Sequence, residues 1–331
     1  MATLKDVARM ACVDVSTVSR AINNTSYVHA DTKARIFAAV KELGYQPNVI
    51  AQSLRQGKRH TIGVVIPRLH MTVFAEIMQG IEEEARRLGY ATLICNTEDD
   101  PKIERECLNR LRNGFVDGII IAGTGQNGRL VRDIRSSGLT ITQIVRQQDV
   151  TINSVIVNYE SCGYEATKYL ISKGCRQIGL INGSMKTAPY QERYNGYHRA
   201  IEEFGLAETT TVSTTPVHSF LYGYQCALDL LEQNPDLDAI MAAIDAQGIG
   251  AMRAIKEQGI KIPDQIRIIS LTGHIIGGML ETSMTSMEMP AREMGARAAL
   301  MTISDIDSSA EQASSPQHLV FTSSLVERES S

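Results

Sequence analysis

Leu4-Lys5-Asp6-Val7-Ala8-Arg9-Met10-Ala11, then Cys12-Val13-Asp14, then Val15-Ser16-Thr17-Val18-Ser19-Arg20-Ala21-Ile22-Asn23 opens the chain. Leu4, Val7, Ala8 and Ala11 recur at helical spacing, as do Val15, Val18 and Ile22, so two short amphipathic helices are expected on either side of a tight turn. Packed face to face they form a helix-turn-helix, a unit whose second helix enters the major groove of DNA. Val15, Ser16, Thr17 and Arg20 then face outward. Small side chains let the backbone approach base edges, and Arg20 offers two donors to guanine. Asp14 is placed to cap the second helix. An ordinary helical hairpin in a globular core has the same periodicity, and the residues that follow decide between the two.

A third helix is signalled from Asp31-Thr32-Lys33-Ala34-Arg35-Ile36 through Ala39, Val40 and Leu43, stopping at Gly44. Pro47 suits a further helical first turn, but the stretch to Gln56 is too short to hold alone and orders only against a partner. Up to His60 the chain carries nine Lys or Arg against four Asp or Glu, giving +5; the remaining 24 bases and 33 acids give −9. The net charge of −4 therefore conceals a basic head on an acidic body. That asymmetry fits one end meeting phosphates, with binding that weakens steeply as salt rises.

Beyond the head lie enough residues for two ordinary domains with full cores. Apolar runs at Thr61-Ile62-Gly63-Val64-Val65-Ile66, Ala91-Thr92-Leu93-Ile94, Gly118-Ile119-Ile120-Ile121 and Ile141-Thr142-Gln143-Ile144-Val145 alternate with amphipathic stretches such as 74–88. This is the pattern of a parallel α/β domain. It repeats after Ser154-Val155-Ile156-Val157-Asn158, with a helix from about Glu160 and strands near 177–181, 211–215, 239–244 and 266–271. Two such halves predict a bilobal clamp with its pocket at the carboxyl ends of the strands.

The six cysteines, Cys12, Cys95, Cys107, Cys162, Cys175 and Cys226, are scattered and form no CxxC pair, so reduced thiols, no metal site and no cofactor are expected. No signal peptide opens the sequence and no apolar run approaches the roughly 20 residues that span a bilayer, so a cytoplasmic protein without membrane contact is expected. Catalysis finds no support: no Walker, GxSxG or HExxH motif and no dinucleotide GxGxxG followed by a ribose acid is found, and Gly123-Thr124-Gly125 lacks the Gly-Lys-Ser/Thr that would make it a phosphate loop. A sugar carrier without DNA binding would explain the two lobes but leave the basic head without a purpose.

The Leu-Lys-Asp-Val-Ala start, Ser16-Thr17-Val18-Ser19-Arg20, Gly44-Tyr45-Gln46-Pro47 and Ala51-Gln52-Ser53-Leu54 together resemble the DNA-binding headpiece and hinge of the LacI/GalR family of repressors. The resemblance extends to about Glu327. It implies a helix-turn-helix headpiece at 1–46, a hinge helix and linker at 47–59, and an effector-binding and dimerisation domain at 60–331 with a fold like that of periplasmic sugar-binding proteins. The first lobe would comprise about 60–158 and 291–320, and the second about 159–287 with the C-terminal segment, the chain crossing near Asn158, near 287–290 and near Phe321. By resemblance, hinge helices of two subunits pair in the minor groove of a palindromic operator, where Leu54 wedges into the central base step and Arg55 anchors a phosphate, as apolar side chains do when they kink a duplex. DNA contacts are thereby implied for Val15, Ser16, Thr17, Arg20, Asn23, Ala51, Leu54 and Arg55. A homodimer is the expected assembly, because the chain ends Leu325-Val326-Glu327-Arg328-Glu329-Ser330-Ser331 without a leucine-heptad tail.

The same resemblance places Arg193, within Arg193-Tyr194-Asn195-Gly196-Tyr197, at the family's effector-binding arginine, whose planar fork suits hydroxyl pairs or carboxylates. Phe74, Thr124, His218, Asp245 and Thr272 fall at other pocket positions; Phe74 either stacks on a ring or packs in the core. Ser270-Leu271-Thr272 stands where many members have Gly-Tyr-Asp, losing an acid, and Arg146 stands where an acid is common. Arg68 follows the first strand as Arg146 follows a later one, and both match arginines of the trehalose-repressor branch that bind a sugar phosphate. Two arginines without a compensating acid point to an anionic effector, a sugar phosphate or sugar acid. The competing readings are a neutral sugar or nucleobase, and arginines paired at the surface with acids such as Glu76. Effector binding is expected to shift the lobes and so permit or forbid hinge pairing; both signs of control are compatible with the sequence.

Overall fold

The computed structural model describes residues 2–24, 26–45, 58–212, 219–308 and 315–331. Ala51, Leu54 and Arg55 of the expected hinge, and His218 of the expected pocket, lie outside the described residues. The chain divides into two compact units, Met1–Arg59 and His60–Ser331.

The first unit holds α1 (Leu4–Ala11), α2 (Val15–Asn23) and α3 (Ala30–Glu42). Thr3 starts α1 through a reciprocal cap: its hydroxyl oxygen accepts from the Asp6 backbone N–H while its own N–H donates to the Asp6 carboxylate. That bonding holds the Asp6 carboxyl below its ordinary pKa. Cys12, at φ 51°, ends the helix in the left-handed region, and Asp14 accepts from the Ser16 N–H to begin α2. Each helix contributes one fully buried aliphatic side chain, Val7, Val18 and Ile36, and Ala8, Ala11, Ala21 and Ala39 pack around them.

The second unit contains two six-stranded sheets. In chain order its elements are β1 (Thr61–Ile66), α4 (Thr72–Arg87), β2 (Ala91–Asn96), α5 (Pro101–Arg112), β3 (Gly118–Ile121), α6 (Gly128–Ser136), β4 (Thr140–Ile144) and β5 (Asn153–Val157). There follow α7 (Tyr159–Ser172), β6 (Ile178–Asn182), α8 (Ala188–Glu203), β7 (Thr209–Val212), α9 (Phe220–Gln233), β8 (Ala239–Ala242), α10 (Asp245–Glu257), β9 (Arg267–Ser270) and β10 (Thr285–Glu288). The chain ends with α11 (Ala291–Asp307), β11 (His318–Phe321) and β12 (Ser324–Val326). One sheet has the order β11-β5-β4-β3-β1-β2, the other β12-β10-β9-β8-β6-β7; every pairing is parallel except β10 with β12. The chain therefore passes between the lobes at 158, at 289–290 and at 322–323.

Strands such as β1 and β3 are apolar along their whole length because helices cover both faces of a parallel sheet. The seventh strand begins at Thr209, earlier than the apolar pattern placed it, because Thr209 pairs with Gly179 of β6. Within each lobe helices meet at glycines. A Cβ on Gly80 of α4 would stand 1.9 Å from the Arg292 carbonyl oxygen of α11, and one on Gly295 would stand 2.1 Å from that of Ile77. In the second lobe Gly163 of α7 and Gly196 of α8 face Arg193 and Glu160 in the same way, at 2.2 and 2.0 Å.

Candidate functional site

The carboxyl ends of the two sheets face each other across a small cavity. Arg68 follows β1, Asp99 follows β2, Arg146 follows β4 and Tyr159 follows β5, while Tyr190, Ile244 and Thr272 follow β6, β8 and β9 of the opposite sheet. Phe74, Met71 and Met289 complete the apolar part of the wall. The cavity measures about 40 Å³. Ligand pockets run to roughly 300–1,000 Å³, so admitting a sugar-sized molecule requires the lobes to part. One polar contact already spans the lobes: His274 Nε2, beyond β9, lies 3.2 Å from Glu76 Oε1 on α4.

Three guanidinium groups reach this wall. Arg146 donates to both carboxylate oxygens of Asp99, at 2.6 and 2.9 Å, and to the Gly123 carbonyl at 3.2 Å. Burial opposes its charge, but the Asp99 carboxylate more than restores it, so its pKa lies above the ordinary arginine value. Arg68 donates to the Glu98 carboxylate at 3.3 Å and to the Glu98 carbonyl at 3.2 Å. Arg193 donates to the Thr272 hydroxyl at 2.8 Å, which itself donates to the Ala243 carbonyl, and its guanidinium sits 4.6 Å above the Tyr159 ring. In each of the three the buried Nε has no hydrogen-bond partner among the described residues.

These contacts correct the charge argument from sequence. Arg68 and Arg146 do line one cavity, yet neither lacks a compensating acid: Glu98 and Asp99, consecutive residues at the end of β2, supply one each. Glu76 is committed to His274 and not to either arginine. Thr124 is also corrected. Its N–H and hydroxyl both donate to the buried carboxylate of Glu104, at 2.6 and 3.0 Å, and it is not part of the cavity wall. Phe74 packs in the first lobe's core and also forms part of the wall.

Asp245 opens α10 one residue beyond Ile244, and its carboxylate turns away from the cavity to accept from the Ser270 hydroxyl. Its second oxygen is buried without a partner among the described residues. Burial pushes its pKa up to about 7, an effect the Ser270 bond offsets in part and nearby Glu288 reinforces. Between the unfolded value near 4 and about 7, the folded protein holds a proton the unfolded chain has released, so stability falls as pH rises through that window. Asp245→Asn is accordingly expected to raise the melting temperature at pH 8 and to leave it unchanged at pH 4, as differential scanning calorimetry would register.

Tyr159, Tyr190 and Asp99 were not singled out from sequence. Burial pushes both tyrosines up to about 12, so each is a neutral hydroxyl at physiological pH. The available signal was positional: Asp99 and Tyr159 follow closely on a strand's carboxyl end, and Tyr190 lies in the first turn of the helix that follows β6. In the first unit, Ser16 and Arg20 are exposed on α2, and the Arg20 guanidinium donates to the Ser16 hydroxyl at 3.1 Å. Val15, Thr17 and Asn23 are half-buried. The Asn23 amide donates to Ser19, and Val15 packs on the helical core.

Comparison with known proteins bears on both units. The model of bacterial regulatory proteins of the lacI family matches residues 3–48, and that of periplasmic binding proteins and the sugar-binding domain of the LacI family matches 59–328. The ribose operon repressor of Halalkalibacterium halodurans is 30% identical over 93% of this chain and 91% of its own length. The transcriptional repressor PurR of Haemophilus influenzae is 30% identical over 100% of this chain and 98% of its own. Among solved structures, the Lac repressor dimer bound to operator and the anti-inducer ONPF superposes with a TM-score of 0.90 at 25% identity, covering 99% of this chain and 98% of that one.

Proposed function

The chain belongs to the LacI family of bacterial transcriptional regulators, and on that premise we propose that it is a cytoplasmic repressor whose operator affinity is set by a hydroxylated, sugar-like effector carrying at most one negative charge. It binds operator DNA as a dimer and responds to a small molecule, as its family does. No helix among the described residues is long and apolar enough to cross a membrane. On this reading Ser16, Thr17 and Arg20 meet base edges, with Val15 and Asn23 beside them, and of the hinge residues Leu54 wedges into the minor groove, Arg55 anchors a phosphate and Ala51 is a further DNA contact.

The observation that carries the effector reading is the charge balance of the cavity. Three guanidinium groups, Arg68, Arg146 and Arg193, face two carboxylates, Glu98 and Asp99, leaving a surplus of one positive charge. Arg193 differs from the other two in that its hydrogen-bond partner Thr272 and the Tyr159 ring beneath it are neutral. Paired arginine and aspartate side chains present donors and acceptors together, the combination that vicinal hydroxyls require. A dianionic phosphate ester would bring more charge than the site can match. The buried faces of Phe74, Tyr159 and Tyr190 also suit a planar nucleobase, which makes that the second reading.

A thermal-shift panel of neutral sugars, the matching uronates, the matching phosphate esters and purine bases tests the proposal. A neutral sugar or uronate is expected to raise the melting temperature of the wild-type chain and not that of Arg193→Ala. A phosphate ester binding best would refute the charge limit, and a base binding best would establish the second reading. Since binding that couples to the operator by about 1–3 kcal/mol alters its affinity roughly 5- to 150-fold, the same ligand must also move operator affinity.

A further inference from the structure

Asp99 and Glu98 both stand in the left-handed region, at φ 60° and 53°, and Val145, immediately before Arg146, stands there at φ 67°. Such angles are uncommon for residues with a Cβ and an outlier for a β-branched valine, and they persist only where surrounding structure holds them. Here the three strained residues surround a single feature. The turn after β2 aims both carboxylates at the first lobe's arginines, and the turn after β4 swings Arg146 onto Asp99. Arg146 is only 9% exposed and Asp99's side chain 7%, so the pair is held in a low-dielectric wall where its charges are weakly screened. The Arg146 fork is engaged by both oxygens of Asp99, and one of its terminal nitrogens also by the Gly123 carbonyl, while its Nε is buried without a hydrogen-bond partner among the described residues.

We propose that Asp99 is the specificity-determining residue of the cleft: its carboxylate fills the Arg146 fork as an internal anion and thereby excludes phosphate-bearing ligands in favour of neutral or singly charged ones. The inference rests on reading the cleft as the effector site and assigns its charge selectivity to one side chain. An incoming phosphate meets a fork already taken and a fixed negative charge beside it. A ligand hydroxyl, being both acceptor and donor, can accept from a guanidinium N–H and donate to the carboxylate.

Asp99→Gly is the informative variant, because glycine adopts the left-handed angle without strain and the carboxylate's place is left open to an anion. Inorganic phosphate serves as the probe, with the melting temperature of the full-length chain followed against phosphate concentration at constant ionic strength set by potassium chloride. Asp99→Gly is expected to bind phosphate roughly 10- to 100-fold more tightly than wild type, as removal of a fixed like charge a few ångströms away implies. Asp99→Gly/Arg146→Gln, which removes both members of the pair, is expected to return to the wild-type response, and it keeps the test sound should the buried arginine alone weaken folding. A phosphate response in Asp99→Gly no stronger than wild type's, or a gain that survives in the double variant, would overturn the proposal. Operator affinity measured in the same titration separates the two readings: phosphate captured through Arg146 with no change in operator binding upholds Asp99's role and removes the cleft as the effector site.

Discussion

Replacing Ile36 by Ala is expected to abolish specific operator binding while leaving the larger unit's melting transition in place. Ile36 is fully buried and meets Val7 and Val18 at the centre of the only hydrophobic cluster described in the Met1–Arg59 unit. Truncating a buried isoleucine to alanine costs about 2–5 kcal/mol. A unit of 59 residues has only roughly 3–9 kcal/mol of stability to lose, at the usual 0.05–0.15 kcal/mol per residue. Without its core, α2 has no platform on which to present Ser16, Thr17 and Arg20. Fluorescence anisotropy with operator DNA should show affinity falling at least 100-fold toward the non-specific level, since specific binding exceeds non-specific binding by about 10³–10⁷. Calorimetry should show the His60–Ser331 unit melting as in wild type, and undiminished operator affinity would contradict this account of the headpiece core.

Replacing Gly163 by Ala is expected to disturb the cleft from behind, by displacing the backbone of Arg193, although Gly163 itself is not part of the wall. The new Cβ would stand 2.2 Å from the Arg193 carbonyl oxygen, and because that atom is backbone, α7 and α8 must move apart. Overpacking of this kind costs about 1–3 kcal/mol, occasionally more. In a domain of this size that lowers the melting temperature by roughly 2–12 °C. The displaced helix carries Arg193, whose guanidinium is positioned by a 2.8 Å bond to Thr272 and by the Tyr159 face, so ligand response should fall together with stability. A variant with wild-type melting temperature and ligand response would show that the glycine contact is not what fixes Arg193.

The headpiece was legible in the sequence because its information is local. Helical periodicity at Leu4, Val7, Ala8 and Ala11, a capping Asp14 and a terminating Gly44 are each read within a few residues, and α1, α2 and α3 form where they indicate. The parallel strands were legible for the related reason that burial on both faces leaves uninterrupted apolar runs. Less visible were β10 to β12, three or four residues long, which are defined by distant partners: β12 pairs antiparallel with β10, and β11 joins β5 across more than 150 positions of chain. The site shows the same division. Arg68 and Arg146 could be placed at strand ends, but that Asp99 closes on Arg146 depends on left-handed angles at Asp99 and Val145 that no sequence pattern announced. An arginine count without the acids that face them overstated the positive charge of the cavity.

The measurement that tests the central claim most directly is operator affinity, by anisotropy on the full-length chain, with and without the ligand that raises its melting temperature, in wild type and Arg193→Ala. The account predicts a change of about fivefold or more in wild type and none in Arg193→Ala, whose operator affinity without ligand stays near wild type. A ligand that binds and leaves operator affinity unmoved, or a response that persists without Arg193, would contradict it.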